Sequence, residues 1–385
     1  MHKIYPVLCI IPPHILDAIA SNGTAEQREL ALRTIASSDQ IRNRRNEVKA
    51  KNVAAASFSA AVSAGKQRTV YDAKQGSQLP GTKVRGEGDP AVADPGTNEA
   101  YDGSGLTYDL YSSVFGRDSI DNKGLPLNST VHYQKGYDNA FWDGGQMVYG
   151  DGDEDLPPAQ RLFNRFTISV DVIGHELTHG VTQYEANLTY SKQPGALNES
   201  VSDVFGSLVK QHQRQQTADQ ADWIIGEGLF TSNVNGVGIR SMKAPGTAYD
   251  DPVLGKDPQP AHMDHYVNTL SDNGGVHINS GIPNHAFYVI AREIGGYAWE
   301  KAGAIWYKAL TEKFTATSTF LDAANLTFAA AADLYGVDSP EQKAVQSGWA
   351  AVGITIGSTP SPNDGCLTAT LRSLGLLGAR PVSRQ

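Results

Sequence analysis

The spacing of hydrophobic positions changes near residue 166. Residues 66–165 carry short alternating runs, such as Gln146-Met147-Val148-Tyr149, between stretches rich in Gly, Asp and Thr, a pattern typical of strands joined by turns. Beyond residue 166 the apolar positions recur at helical spacing. They predict helices over 168–184, 198–213, 281–295, 299–314 and 320–333. The pattern therefore predicts an α+β protein with a β-rich first half and a helical second half.

The first 65 residues have a pattern of their own. Thr24 and Gln27 have capping-box spacing at the start of a helix predicted over 24–36. A basic stretch follows, and then residues 54–65 are almost all small, which suits an exposed linker that a protease could cut. A solvated loop without processing is the alternative.

The N-terminal residues do not predict a targeting segment. The apolar run at 7–11 is short, prolines flank it, and no small-residue cleavage site closes it, so we expect no signal peptide. The tail from 357 to 385 is rich in Ser, Pro, Gly and Asn before a few leucines. This composition predicts a loose extension.

Composition narrows the class of protein. A chain of 385 residues with 40% hydrophobic and 19% charged positions is long enough for two globular domains. Thirty-two Lys and Arg stand against 41 Asp and Glu, so the net charge of −9 argues against nucleic-acid binding. Cys9 and Cys366 are the two cysteines, which excludes a four-cysteine zinc site. No run of 18 apolar residues exists, so we expect no membrane span.

The most informative segment is His175-Glu176-Leu177-Thr178-His179. Residues at i and i+4 share one face of a helix, so His175 and His179 can bind one metal ion, and Glu176 lies beside them as a candidate general base. The alternative is a helix with two exposed histidines. At the His and Glu frequencies of this chain, such a pattern is rare by chance, which favours the metal site.

A catalytic zinc usually takes three protein ligands, so a third ligand must come from elsewhere. Glu199 and Asp203 are also i and i+4 on a predicted helix. One carboxylate can bind the metal while the other accepts the ring N–H of a ligand histidine. A solvated helix face is the alternative, but the small and apolar neighbours of this pair favour function.

These residues resemble the thermolysin-like neutral metalloproteases. Further motifs appear in the family's order: Asn-Ala-Phe-Trp at 139–142, Met-Val-Tyr-Gly-Asp-Gly at 147–152, Gly-Ile-Arg-Ser-Met at 238–242 and Gly-Gly-Val-His-Ile-Asn-Ser-Gly at 274–281. The resemblance covers about residues 66–354. Near the N-terminus, Cys9-Ile10-Ile11-Pro12-Pro13 resembles the protealysin and grimelysin branch, which has a short propeptide and no evident signal peptide.

The resemblance implies a two-domain fold with the zinc-binding helix between a β-rich N-terminal domain and an α-helical C-terminal domain. Its expected divisions are a propeptide over 1–50, a β-rich catalytic domain over 51–190, a helical catalytic domain over 191–356 and the tail over 357–385. The implied activity is that of a zinc endopeptidase made as a precursor, with protein or peptide substrates and its own propeptide as inhibitor. We expect a monomer. Secretion is expected by resemblance, and a cytoplasmic location is the alternative.

Roles follow from the resemblance for each matching position. His175, His179 and Glu199 are expected to bind zinc, and Glu176 to act as general base. Asp203 would orient His175, and Asn198 would support His179. The donors to the developing oxyanion would be Tyr190 and His277, with Asp272 holding the His277 ring.

Substrate contacts are implied in the same way. Asn139 and Ala140 match the strand that pairs with an extended peptide, and Arg240 would bind a carbonyl just past the cleaved bond. The pocket for the residue after that bond would be lined by five apolar side chains: Phe163, Phe166, Val172, Ile225 and Ile239. We therefore expect a preference for a large hydrophobic residue there.

One departure from the family concerns calcium. Asp171, Asp222 and Glu227 match its calcium-binding carboxylates, but Lys210 and Ile224 stand where further glutamates are expected. Calcium needs six to eight oxygen ligands. We therefore expect that the double calcium site is absent and that the Lys210 ammonium partly replaces it.

The propeptide offers two ways to block the site. The Cys9 thiolate could bind zinc, or Pro12, Pro13 and their apolar neighbours could fill the cleft while Cys9 packs as a small hydrophobe. We favour cleft filling, with an autocatalytic cut within about 42–65. The rival functions are an aminopeptidase, for which no Gly-x-Met-Glu-Asn motif is present, and a non-catalytic binding protein.

Overall fold

The computed structural model describes the backbone of residues 8–52 and 65–357 and the side chains of 9–38 and 65–357. The described residues do not include the stretch from 53 to 64 or nearly all of the tail, which contains Cys366. The expectations of a loose tail and of a cleavable small-residue linker concern those segments and stay predictions.

A six-stranded mixed sheet forms the first half of the fold, in the order β1-β5-β6-β4-β2-β3. Its strands are β1 Leu8–Cys9, β2 Arg68–Asp72, β3 Thr82–Gly86, β4 Leu127–Val131, β5 Ala140–Trp142 and β6 Met147–Tyr149. Strand β4 runs parallel to β2 and β6, and the other pairs are antiparallel. Strand β1 comes from the predicted propeptide, and it pairs with β5 so that Cys9 lies opposite Phe141.

Ten α-helices are described. They are α1 Pro13–Asn22, α2 Ala25–Asn52, α3 Pro95–Phe115, α4 Val170–Tyr184, α5 Lys192–Arg214, α6 Asp272–Asn279, α7 Gly281–Ile294, α8 Ala302–Glu312, α9 Phe320–Tyr335 and α10 Pro340–Ala351. Four short strands complete the second half: β7 Ile224–Ile225, β8 Arg240–Ser241, β9 Asp250–Asp251 and β10 Gly255–Lys256. Among the described helices, none combines the length and apolarity needed to cross a bilayer.

The α+β prediction is confirmed, but its detail is incomplete. The five predicted helices of the second half correspond to α4, α5, α7, α8 and α9. The prediction missed α6 and α10 in that half and α3 within the β-rich half. Asp94 caps α3 by accepting from the Thr97 N–H, and Pro95 occupies its first turn. Gly103 and Gly105 conceal this helix in the sequence because glycine lowers helix propensity.

Helices α4 and α5 make an unusually close contact at two glycines. A Cβ atom on Gly206 would lie 2.4 Å from the Asp171 carbonyl oxygen, and one on Gly174 would lie 3.1 Å from the Gly206 Cα. Every residue of α4 from Asp171 to Thr182 is buried. The sheet covers α4 on another side, where Gly180 faces Trp142. The two glycines therefore set how near the side chains of α4 and α5 can approach each other.

The predicted propeptide contacts both halves of the protein. On the sheet side, the Asp138 N–H donates to Thr34 Oγ1 on α2 at 3.1 Å. On the helical side, His14 Nε2 on α1 lies 2.9 Å from the Tyr249 hydroxyl oxygen. Between them, Gln27 Nε2 donates to the Gln160 carbonyl at 2.7 Å. This segment is therefore built into the fold.

Candidate active site

Two imidazoles on α4 face each other in the centre of the molecule. The Nε2 atoms of His175 and His179 are 3.0 Å apart, and both residues are fully buried. Their Nδ1 atoms lie 2.8 Å from Asp203 Oδ1 and 2.8 Å from Asn198 Oδ1. A ring that donates from Nδ1 presents a lone pair at Nε2. Two lone pairs directed at one point repel each other unless a cation lies between them.

Glu199 on α5 brings a carboxylate to the same point. Its two oxygens lie 3.4 Å from the Nε2 atoms of His175 and His179, and its Oε2 is buried without a hydrogen-bond partner. These three residues are the metal-binding cluster found among the described residues, with ligand atoms within 4.8 Å of one another. Two imidazole nitrogens and one carboxylate oxygen, with a position left for water, fit a catalytic zinc ion.

The other carboxylate of the predicted pair, Asp203, lies behind the metal cluster. Besides His175, it receives Nε and Nη2 of Arg240, each at 2.8 Å, and Nδ2 of Asn284 at 2.8 Å. Burial alone would raise the pKa of Asp203, but the charge of Arg240 and the hydrogen bond from His175 lower it to about 2. Asp203 is therefore an anion that binds the side chains of His175 and Arg240 at once.

Glu176 lies next to the cluster on the side of the sheet. Its Oε2 accepts from the Trp142 N–H of β5 at 3.0 Å, whereas its buried Oε1 has no hydrogen-bond partner. Burial raises the pKa of Glu176 to about 8. The unpartnered oxygen is available to a water molecule bound between Glu176 and the cluster.

Tyr190 and His277 come from different segments and meet above Glu199. The Tyr190 hydroxyl donates to Glu199 Oε1 and lies 3.1 Å from His277 Nε2. Asp272 holds the imidazole through Nδ1 at 2.6 Å and the backbone N–H of His277 at 2.8 Å. Burial lowers the pKa of His277, but the charges of Asp272 and Glu199 outweigh this and raise it.

The turn before His277 requires an unusual backbone. Asp272, Asn273, Gly274 and Gly275 have φ values of 52°, 52°, 91° and 76°. Such a left-handed run is sterically easy for the two glycines and tolerable for Asp and Asn. It brings the Asp272 carboxylate back onto the residue five positions later.

Three contacts of the site were missed by sequence reasoning. Ser202 Oγ lies 2.9 Å from His179 Nδ1, Asn284 donates to Asp203, and the Trp142 N–H donates to Glu176. Ser202 follows Glu199 by three residues, so helical spacing could have placed it on the ligand face. Asn284 lies on α7, and nothing local in the sequence marks it.

The propeptide strand passes directly over this site. The Ile10 N–H donates to the Ala140 carbonyl at 3.2 Å, and the Ile11 N–H donates to Asn139 Oδ1 at 3.0 Å. Arg240 Nη1 donates to the Ile10 carbonyl at 3.1 Å. The Cys9 carbonyl oxygen lies 3.1 Å from His277 Nε2. Predicted substrate-binding groups therefore hold propeptide backbone.

Side chains of the propeptide enter two different apolar regions. Ile10 and Ile11 are buried in the main core, which also contains the five predicted pocket residues: Phe163, Phe166, Val172, Ile225 and Ile239. Cys9 belongs instead to a small cluster with Tyr133, Tyr137, Phe141 and Val148. Pro12 and Pro13 begin α1 as its N-cap and first residue. The arrangement favours packing over metal binding for Cys9.

A lysine ammonium occupies the carboxylate cluster beside α4. Lys210 Nζ lies 2.9 Å from Asp171 Oδ2, 2.9 Å from Asp222 Oδ1 and 3.9 Å from Glu227 Oε2, and it donates to the Ile224 carbonyl at 2.5 Å. Burial lowers the pKa of Lys210, but the charges of Asp171 and Asp222 raise it further than burial lowers it. The cation is thus held among three carboxylates.

Comparison with known proteins extends the match beyond the site. The thermolysin metallopeptidase catalytic-domain model matches residues 22–183, and the α-helical-domain model matches residues 186–354. An extracellular metalloprotease of Pectobacterium carotovorum subsp. carotovorum is 52% identical over 314 residues, which are 81% of this chain and 86% of that protein. Protease PrtS of Photorhabdus sp. (strain Az29) is 49% identical over 362 residues, 90% of this chain and 92% of that protein.

A solved structure also matches this chain closely. The precursor of protealysin, a metalloproteinase from Serratia proteamaculans, superposes with a TM-score of 0.81 at 50% identity, covering 90% of this chain and 100% of that one. The resemblance predicted from the motifs, the two-domain architecture and the metallopeptidase class are therefore confirmed. Over both of its catalytic domains, this chain belongs to the thermolysin family of zinc metallopeptidases and is a protealysin-like member of it.

Proposed function

We propose that the protein is a zinc endopeptidase made as a latent precursor, and that it cuts internal peptide bonds before large hydrophobic residues. The observation that carries the proposal is the convergence of three groups of residues on one point. The first group is a donor set that suits zinc, the second is a carboxylate with an oxygen that lacks a hydrogen-bond partner, and the third is a pair of hydrogen-bond donors. In that order they are His175, His179 and Glu199; Glu176; and Tyr190 and His277.

His175, His179 and Glu199 would hold the zinc ion. When bound, zinc supplies a water molecule whose pKa is near 7 and polarises the substrate carbonyl. Glu176 takes the proton of the attacking water through its unpartnered Oε1 and later gives it to the leaving amine. The Trp142 N–H holds the other oxygen of Glu176 and so fixes the direction of the carboxylate.

Tyr190 and His277 stabilise the oxyanion that forms on the substrate carbonyl. Their 3.1 Å contact supports this role, since both groups can reach one oxygen once the Tyr190 hydroxyl turns its proton away from Glu199. Asp272 favours the cationic, donating form of His277. Asn198 and Asp203 keep the two ligand rings in the tautomer that binds metal.

Substrate binds as an added strand on β5. Main-chain pairing to Asn139 and Ala140, with Arg240 on the next carbonyl, gives affinity without demanding a sequence. Specificity comes from the pocket of Phe163, Phe166, Val172, Ile225 and Ile239. The burial of Ile10 in the same core supports a preference for large hydrophobic residues.

Latency follows from the same contacts. Residues 8–13 lie along the groups proposed to bind substrate, so a second peptide cannot enter until they leave. The packing of Cys9 among aromatic side chains supports cleft filling over a thiolate–zinc bond. Maturation then requires a cut between the propeptide and the catalytic domains, for which we propose the stretch within about 42–65.

Calcium is not needed beside α4 in this proposal. The Lys210 ammonium supplies positive charge to Asp171 and Asp222, so a double calcium site there is replaced. We also propose that the protein is secreted, because its relative in Pectobacterium is an extracellular metalloprotease, and that it is a monomer.

The test is peptidase activity of the matured protein on an internally quenched peptide with a blocked N-terminus, beside Glu176→Gln, with zinc counted in both. Activity in the parent alone, with equal zinc, is expected. Equal activity in both would overturn the role of Glu176. Activity confined to peptides with a free amine would favour the aminopeptidase. Bound zinc without activity in the matured parent would favour a non-catalytic protein.

A further inference from the structure

We infer that the Cys9–Ile10 peptide bond is itself a cleavage site of this protein, cut once in the folded precursor without activating it. The inference rests on the proposed function and extends it to the protein's own propeptide. It starts from the register in which β1 lies on β5.

Four contacts define that register. The carbonyl of Cys9 faces His277 Nε2 at 3.1 Å, and the carbonyl of Ile10 faces Arg240 Nη1 at 3.1 Å. The N–H groups of Ile10 and Ile11 pair with Ala140 at 3.2 Å and Asn139 at 3.0 Å. A substrate would place the carbonyl of its cleaved bond at His277 and the following carbonyl at Arg240. The propeptide therefore runs in the substrate direction, with Cys9 before the bond and Ile10 after it.

The side chains agree with this register. Ile10 is fully buried in the core that contains the pocket for the residue after the bond. Glu176 is also near the required place. It accepts from the N–H of Trp142, and Trp142 pairs in the sheet with Leu8, the residue before Cys9. Glu176 is thus tied to the residue that pairs with Leu8, and His277 contacts the carbonyl of the next residue, Cys9.

The chemical step is an ordinary hydrolysis. The oxygen of a water molecule bonds to the Cys9 carbonyl carbon, Glu176 takes a proton from that water, and the carbon–nitrogen bond to Ile10 breaks. The proton goes to the Ile10 nitrogen. The second proton of that water leaves the new Cys9 carboxyl group and also goes to the Ile10 nitrogen. The products are therefore a Cys9 carboxylate and an Ile10 ammonium group, and neither oxidant nor reductant is required.

Cutting this bond leaves the cleft closed. The segment after Ile10 stays attached through His14 on Tyr249, Gln27 on Gln160 and Thr34 on Asp138. Its new N-terminus remains on the leaving-group side of the site, where it acts as a bound product. The nicked precursor is therefore expected to be latent until the linker is cut.

The experiment uses the zinc-loaded full chain beside Glu176→Ala, with intact mass followed over days. In native conditions the parent is expected to gain the mass of one water. In denaturing conditions it should lose residues 1–9 and show a new N-terminus at Ile10, with no gain in peptidase activity. Glu176→Ala should stay intact.

A second readout needs no metal. In the zinc-free chain, the amides of Ile10 and Ile11 should exchange at least about 10-fold more slowly than in Asn139→Ala. Unprotected amides would overturn the register. If the matured protein hydrolyses a quenched peptide but the precursor is never cut at Cys9–Ile10, the cleavage site is wrong and the proposed function stands. If neither the quenched peptide nor the Cys9–Ile10 bond is hydrolysed, the proposed function and the cleavage site are both wrong.

Discussion

Asp203 and Arg240 form a bidentate ion pair next to the His175 side chain, and both nitrogen–oxygen distances are 2.8 Å. The carboxylate thereby connects a proposed metal ligand to the guanidinium that holds the Ile10 carbonyl. Both partners are buried, so neither charge can be lost without consequence for the other.

Asp203→Asn is expected to damage stability and metal binding together. The Arg240 charge would remain buried without a counterion, which costs about 3–5 kcal/mol in comparable pairs. Loss of the carboxylate behind a ligand histidine typically lowers metal affinity by about 10–100-fold. Urea unfolding and chelator competition measure the two effects. The control is Asp264→Asn, an exposed carboxylate that should change neither.

Tyr190→Phe is expected to lower kcat of the matured protein by about 10²–10³-fold, the usual effect of removing one oxyanion donor. Zinc content should be unchanged, because the proposed ligands are His175, His179 and Glu199. Steady-state kinetics with metal analysis provide the test. A rise in KM with unchanged kcat would instead assign Tyr190 to substrate binding.

Lys210→Met is expected to destabilise the protein by about 3–5 kcal/mol, because Asp171 is fully buried and would keep an unpaired charge. In Lys210→Glu, added calcium should recover stability that it does not add to the parent. Thermal unfolding with and without calcium compares the three proteins. Two tightly bound calcium ions in the parent would contradict the substitution of calcium by Lys210.

Stability should fall as the pH rises through the range in which His132 titrates. Its hydrogen bond to Asp151 raises the pKa of His132 to about 9. A histidine whose pKa is higher in the folded than in the unfolded protein stabilises the fold. This contribution is complete below the unfolded pKa of about 6.5 and is lost as the pH rises through about 9. His132→Gln should flatten the dependence of the thermal midpoint on pH over this range, and an unchanged pH dependence would exclude His132 as its source.

Acid should loosen the propeptide through His14. Burial lowers the pKa of His14 to about 4, its Nδ1 has no hydrogen-bond partner, and Arg240, His277, Asp272 and Tyr249 surround it. A lowered pKa favours the docked form above about pH 6.5 and opposes it as pH falls toward 4. Docking should weaken about 30-fold between pH 8 and pH 5.

Hydrogen exchange of residues 8–20 in Glu176→Ala precursor measures that change. His14→Leu in the same background is the control. The ratio of the exchange rates of the two proteins at each pH removes the pH dependence of intrinsic exchange. Equal pH dependence in both proteins would exclude His14 as the cause.

The metal cluster was predictable from sequence because helical spacing alone brings His175 to His179 and Glu199 to Asp203. Which carboxylate binds metal was not predictable from spacing, since both lie on one helix face. The packing of α4 against α5 decides it. Contacts such as Asn284 on Asp203 join residues 81 positions apart, so only the tertiary fold brings them together. Helix α3 was missed because glycines interrupt its local signal.

The position of β1 at one edge of the sheet has a consequence for solubility. While the propeptide is present, β5 is an interior strand. If the propeptide departs, β5 becomes the outermost strand of this sheet and presents unpaired backbone groups to solvent. Such open edges recruit strands from other chains and favour aggregation. We therefore expect the propeptide also to shield the precursor from self-association at the edge where we propose that substrates bind.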